Sequence, residues 1–169
     1  MTKTAVDVYV SAGSNIDPEH HLRTACRTLA EKFGPLSLSS VYRTKAVGFD
    51  GDDFLNLVLS FSTDLNVHAV NAFLEETEMN AGRARTAESF APRTLDLDML
   101  LYGHEILDEP AVRVPRADIL EYAFVLAPIA ELAPRLRHPV DGRTMEELWS
   151  AFAGGDQDIR RLTEPLMPK

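Results

Sequence analysis

Leu95-Asp96-Leu97-Asp98-Met99-Leu100-Leu101-Tyr102 reads as an apolar strand that opens on alternating acids, and its place in the chain decides the fold. At the start of the chain, Val6-Asp7-Val8-Tyr9-Val10-Ser11 alternates β-branched and aromatic residues with polar ones, then meets Gly13-Ser14-Asn15, which reads as a turn. Asp17 is placed to N-cap a helix with Pro18 at its first position. Leu22, Ala25, Cys26, Leu29 and Phe33 follow at helical spacing until Gly34-Pro35. Residues 36–43 and 54–63 show strand patterning. Residues 67–80 place Val70, Phe73, Leu74 and Thr77 on one helical stripe with an acidic flank, and Gly82 ends that helix. The strand at 95–102 completes the order βαββαβ, which predicts an α+β, ferredoxin-like sandwich. Residues 123–132 and 144–152 add C-terminal helices, separated by a turn at 139–142. Residues 1–153 are expected to form a single domain. Residues 154–169, with two glycines and two prolines, are expected to be a poorly ordered tail.

Bulk properties narrow the function. At 169 residues and 45% hydrophobic, the chain is large enough to bury a real core. A net charge of -9 argues against nucleic acid as a partner, so any anionic ligand has to be met by a local cluster of arginines. The single cysteine, Cys26, cannot form an internal disulfide, and residues 1–10 lack a basic region followed by an apolar signal core. No apolar run approaches the ~20 residues that span a bilayer. A cytoplasmic monomer acting on small molecules, with no membrane role, is the expectation.

Chemistry concentrates around the opening strand. Asp96 and Asp98 project from one face, with backbones roughly 6.5–7 Å apart. They suit Mg²⁺, which takes one or two carboxylates and completes its shell with substrate phosphates and water; alternatively they are outward acids on a strand edge. Arg83, Arg85 and Arg93 load the preceding loop with guanidiniums whose planar forks match phosphate oxygens, unless they are simply solvated surface pairs. Phe54 and Asn56 share a face, and with Phe90 they could enclose a flat ring whose edge the amide reads; the phenylalanines read equally as core. The loop at 44–53 is long enough to carry function. His20, His21, His68, His104 and His138 have no ligand spacing, and surface or capping roles are expected.

Val-Ser-Ala-Gly-Ser-Asn at 10–15, Ser-Ser-Val-Tyr-Arg-Thr at 39–44, Phe-Leu-Asn at 54–56 and Pro-Arg-Thr-Leu-Asp-Leu-Asp at 92–98 together resemble the 6-hydroxymethyl-7,8-dihydropterin pyrophosphokinase family. The resemblance implies attack of the pterin hydroxymethyl oxygen on the β-phosphorus of ATP, with release of AMP, in folate biosynthesis. It implies two Mg²⁺ ions on Asp96 and Asp98, and catalytic, ATP-binding roles for Arg83 and Arg93. Glu78, Arg85 and Arg116 would also meet ATP. Thr44, Lys45, Val47, Phe54, Asn56, Phe90 and Phe124 would hold the pterin. Phe90 and Phe54 stand where the family often has tryptophan and tyrosine. Arg116 replaces a histidine, and Tyr122 stands where an arginine is usual, which leaves Arg113 or Arg116 to compensate. The competing readings are a module that binds pterin or nucleotide without turnover, and an RNA-binding sheet, which the acids disfavour.

Overall fold

In the computed structural model, which describes residues 4–45, 53–82, 95–153 and 159–166, strand β1 (Val6–Ser14) runs between β4 (Phe54–Thr63) and β5 (Asp96–Tyr102), antiparallel to both. The short strand β3 (Tyr42–Thr44) pairs with β4, and β2 (Ser37–Leu38) pairs further along the same strand. Helices α1 (Pro18–Phe33) and α2 (Val67–Asn80) make the two crossovers, so the strand order β5-β1-β4-β3 is that of the expected βαββαβ sandwich. After a small hairpin of β6 (Leu107–Asp108) and β7 (Arg113–Val114) come α3 (Asp118–Glu121), α4 (Ala123–Leu132) and α5 (Met145–Ser150).

The strands are apolar on both sides because both faces of the sheet are covered. Val8, Val10, Ala12, Leu57, Leu97 and Met99 pack with Leu22 and Leu29 of α1 and Val70 and Leu74 of α2. On the opposite face, Val58, Leu100 and Leu101 pack with Ile119, Val125, Leu126 and Ile129. Leu100 and Leu101 lie on one face although they are consecutive. Val10 pairs with Met99 and Tyr9 with Leu101, so Leu100 is the extra residue of a β-bulge, which displaces the alternation by one position.

Four local expectations change. Gly13 and Ser14 continue β1 instead of turning, because Gly13 pairs with both Asn56 and Asp96. Residues 36–43 are not one strand: the Ser39 hydroxyl accepts the Val58 N–H at 2.9 Å, and this side-chain bond interrupts the ladder between β2 and β3. Asp17 lies in the left-handed region at φ 43° and makes no side-chain cap, so Pro18 alone marks the start of α1. Within the span read as a poorly ordered tail, Ile159–Arg161 forms β8, antiparallel to β3, and Leu166 is buried against the α1 side of the sheet. Pairing with a strand more than a hundred residues away overrides a local composition that signals no structure.

Among the described residues no helix is long and apolar enough to cross a membrane. Cys26 is buried and free, and burial pushes its thiol up to about 11. His138 is buried and serves the turn at 139–142, its Nδ1 accepting the N–H groups of Val140 and Asp141 at 3.1 and 3.0 Å.

Candidate active site

Tyr42, Asn56, Gly13 and Asp96 lie in one row across four strands, and Val58, Ser11 and Asp98 form the neighbouring row. Alternation puts the side chains of both rows on the sheet face that α4 covers, but the acids sit at the end of β5 away from Leu100 and Leu101, which α4 buries, and remain partly exposed.

The amide of Asn56 is fixed from two sides. Its Nδ2 donates to the Thr44 hydroxyl at 2.9 Å, and its Oδ1 lies over Gly13, where a Cβ would come within 2.7 Å. Thr44 and Asn56 are both buried, and Phe54 pairs directly with Thr44. Behind this wall, Tyr42 donates to Glu131 of α4 at 2.7 Å, and Glu131 also accepts the Ser40 hydroxyl and backbone N–H at 2.8 and 3.0 Å. Burial raises the Glu131 carboxyl, but these three donors and the nearby Arg161 outweigh it and hold the group below the usual carboxylate value. Phe124, at the start of α4, stacks on Tyr122 with ring centroids 5.1 Å apart.

The other side of the acids is a cleft of about 360 Å³ along the outer edge of β5, the last strand in the sheet order. Asn71, Glu75, Glu78 and Met79 of α2 line one wall, Val112, Arg113, Val114 and Arg116 the other, with Asp98 at its border. Glu78 is buried and its Oε2 accepts the backbone N–H of Leu97 at 2.7 Å, which fastens α2 to a strand edge that pairs with no further strand among the described residues. Arg116 crosses the border. Its Nη2 is 3.8 Å from Asp98 Oδ1 and its Nε 3.3 Å from Asp118 Oδ2. Burial works to lower its pKa, yet Asp98, Asp118 and Asp96 together raise it. Arg113 instead pairs with Asp108 in the exposed hairpin.

The described donors at this place are two carboxylates, and no group of three or more His, Cys, Asp or Glu side chains is poised for a metal among the described residues. An oxygen pair of this kind fits Mg²⁺, which leaves most of its shell to phosphates and water, and does not fit a structural zinc.

A family model for 7,8-dihydro-6-hydroxymethylpterin-pyrophosphokinase matches residues 9–134. The chain belongs to this pyrophosphokinase family. It is 37% identical over 148 residues to the 2-amino-4-hydroxy-6-hydroxymethyldihydropteridine pyrophosphokinase of Pseudomonas aeruginosa, an alignment covering 85% of this chain and 90% of that protein. The enzyme of the same name from Bacillus subtilis is 33% identical over 159 residues, covering 89% and 95%. Among solved structures, a triple mutant of Plasmodium falciparum HPPK-DHPS superposes with a TM-score of 0.71 at 12% identity, covering 90% of this chain and 42% of that one, a likeness of fold.

Of the residues that the pyrophosphokinase motifs single out, the fold brings Thr44, Phe54, Asn56, Asp96, Asp98 and Arg116 to one sheet face and its border. Glu78 reaches the site from the opposite face, around the edge of β5. Lys45 lines a hollow at the end of β3 with Arg43, Thr44, Asp53, Ile159 and Arg160, so that hollow shares Thr44 with the Asn56 wall. Val47, Arg83, Arg85, Phe90 and Arg93 lie outside the described residues. Sequence reasoning missed the cleft wall of Asn71, Glu75 and Met79, although their spacing of one turn on α2 beside Glu78 was the available signal. It also missed Glu131, whose single acidic side chain in an apolar helix had no pattern to flag it.

Proposed function

We propose that the chain transfers pyrophosphate from Mg-ATP to the hydroxymethyl group of 6-hydroxymethyl-7,8-dihydropterin, releasing AMP. The observation that carries this reading is the register: Asn56, Gly13 and Asp96 share a row, so about 9–10 Å of sheet separates an amide fixed for reading a ring edge from a carboxylate pair bordering a nucleotide-sized cleft.

On this reading Asn56 holds the pterin edge, oriented by Thr44, while Lys45 and Val47 offer backbone groups and Phe54, Phe90 and Phe124 pack against the ring. Asp96 and Asp98 would hold Mg²⁺, two ions being what the family resemblance implies. When bound, the metal draws charge from the triphosphate and lowers the barrier to attack at the β-phosphorus. The cleft beneath α2 takes the nucleoside end of ATP, and Glu78 and Arg116 flank it. Arg83, Arg85 and Arg93 meet the phosphates. The hydroxymethyl oxygen forms its new bond to the β-phosphorus as the bond to the α-phosphate oxygen breaks, so AMP departs with that oxygen. The protein's contribution is positioning and charge stabilisation.

The test is AMP production from Mg-ATP and the hydroxymethyl pterin. The wild-type chain releases AMP only when both substrates are present, and Asp98→Ala keeps its thermal unfolding profile while losing activity by about a thousandfold or more, as removal of an electrostatic group at a phosphoryl centre does. A folded wild-type protein that releases no AMP overturns the proposal.

A further inference from the structure

Arg116 occupies an unusual position for a residue at the rim of a carboxylate pair. Its backbone N–H donates to the carbonyl of Leu100 at 2.9 Å. Leu100 is the bulged residue of β5, so the bulge anchors the segment carrying Arg116 two residues along the strand from Asp98. The guanidinium then lies between two acids, 3.8 Å from Asp98 and 3.3 Å from Asp118, with Asp96 also within electrostatic reach. Its Nε is buried without a hydrogen bond, despite the short approach to Asp118, so neither pairing is geometrically complete. A cation held by backbone at one end, with carboxylates on two sides of its head group and no well-formed hydrogen bond at Nε, has alternative partners within reach. It faces both the carboxylates and the cleft.

We propose that Arg116 is a built-in counter-ion that stands in for the metal at Asp98 when no nucleotide is present, and moves to the phosphates or wholly to Asp118 when Mg-ATP enters. The inference rests on the reading of Asp96 and Asp98 as the metal-holding pair. It makes metal binding and nucleotide binding interdependent. Without nucleotide, Arg116 lowers the negative potential at Asp98 and opposes a divalent cation. With nucleotide, the guanidinium gains phosphate partners and leaves Asp98 to the metal. Coupling of this kind is reciprocal: whatever factor ATP adds to metal affinity, the metal adds to ATP affinity. Asp118 is the second seat of the switch and acts as a positioning residue.

The experiment is Mn²⁺ binding to the full chain, followed by electron paramagnetic resonance with and without a non-hydrolysable ATP analogue. It compares wild type with Arg116→Gln, Arg116→Ala, Asp118→Asn and Asp98→Asn. Arg116→Gln, which keeps most of the volume, guards against misfolding of the alanine variant. Without nucleotide, both Arg116 variants are expected to bind Mn²⁺ about tenfold more tightly than wild type, and Asp118→Asn, which leaves Arg116 to the Asp96–Asp98 pair, more weakly. With the analogue, the enhancement of Mn²⁺ affinity seen in wild type is expected to fall by about tenfold in the Arg116 variants. Arg116 variants that bind nucleotide-free Mn²⁺ no more tightly than wild type, while Asp98→Asn abolishes the site, overturn the counter-ion and leave the metal pair standing. Mn²⁺ binding that is indifferent to Asp98 in every variant overturns the metal pair and the counter-ion with it.

Discussion

A Cβ on residue 13 would lie 2.7 Å from Oδ1 of Asn56, so the absence of a side chain on β1 is what lets the amide of its neighbouring strand lie flat across the sheet. The requirement concerns close approach, since Gly13 has no left-handed backbone to accommodate. Gly13→Ala is expected to fold, because the obstacle is the tip of a side chain that can turn aside. Turning breaks the 2.9 Å bond to Thr44 and withdraws the amide from the ring edge. The expected outcome is a rise of about tenfold in KM for the pterin, corresponding to the ~1–1.5 kcal/mol of one hydrogen bond, with KM for ATP unchanged. Steady-state kinetics with each substrate varied separately checks it, and an equal rise for both substrates would count against this account of Gly13.

Glu78 separates two roles that coincide in one side chain. As the acceptor of the Leu97 N–H it ties α2 to the edge of β5, and as a cleft residue it borders the proposed nucleotide site. Glu78→Gln preserves a carbonyl acceptor, whereas Glu78→Ala leaves a buried N–H without one, a loss of about 1–3 kcal/mol. Urea unfolding should therefore show the alanine variant destabilised by that amount and the glutamine variant close to wild type. If the negative charge itself serves the nucleotide, the glutamine variant changes KM for ATP while its stability is unaltered.

Much of this was legible in the sequence where local pattern and tertiary environment agree. Asp96 and Asp98 alternate with leucines, and a period of two leaves no choice but a shared face. The apolar stripe over residues 67–80 and the glycine at 82 gave the bounds of α2, and the structure adds the cap that starts it, the Asn66 side chain accepting the Ala69 N–H at 2.9 Å. The bulge at Leu100 was hidden because Met99, Leu100, Leu101 and Tyr102 are all apolar, so a one-residue slip leaves no mark on the pattern. β8 was hidden for a different reason: Ile159-Arg160-Arg161 has no propensity signal strong enough to overcome the glycines before it, and it becomes a strand only through β3. The cleft wall and the Arg116–Asp98 approach depend on α2 and residues 111–116 meeting across β5, a juxtaposition without a one-dimensional trace.

Glu131 gives a pH dependence whose sign follows from its partners. Tyr42, Ser40 and Arg161 hold its carboxyl below the ordinary value in the folded chain, so the native state binds this proton less readily than the unfolded one. Its contribution to stability is therefore fully present above the unfolded carboxylate pKa of about 4.3 and is lost as pH falls through the depressed native value. The contribution is modest, because the carboxylate is partly open to solvent and screened. Thermal unfolding between pH 6 and pH 2 should show Glu131→Gln losing less stability than wild type across this window, with Tyr42→Phe intermediate. Tyr42 pairs with Asn56 on the face of the proposed pterin wall, so Tyr42→Phe should also loosen that wall and raise KM for the pterin more than it lowers kcat. Identical acid sensitivity in all three proteins would show that the Tyr42–Glu131 bond does not couple this carboxylate to folding.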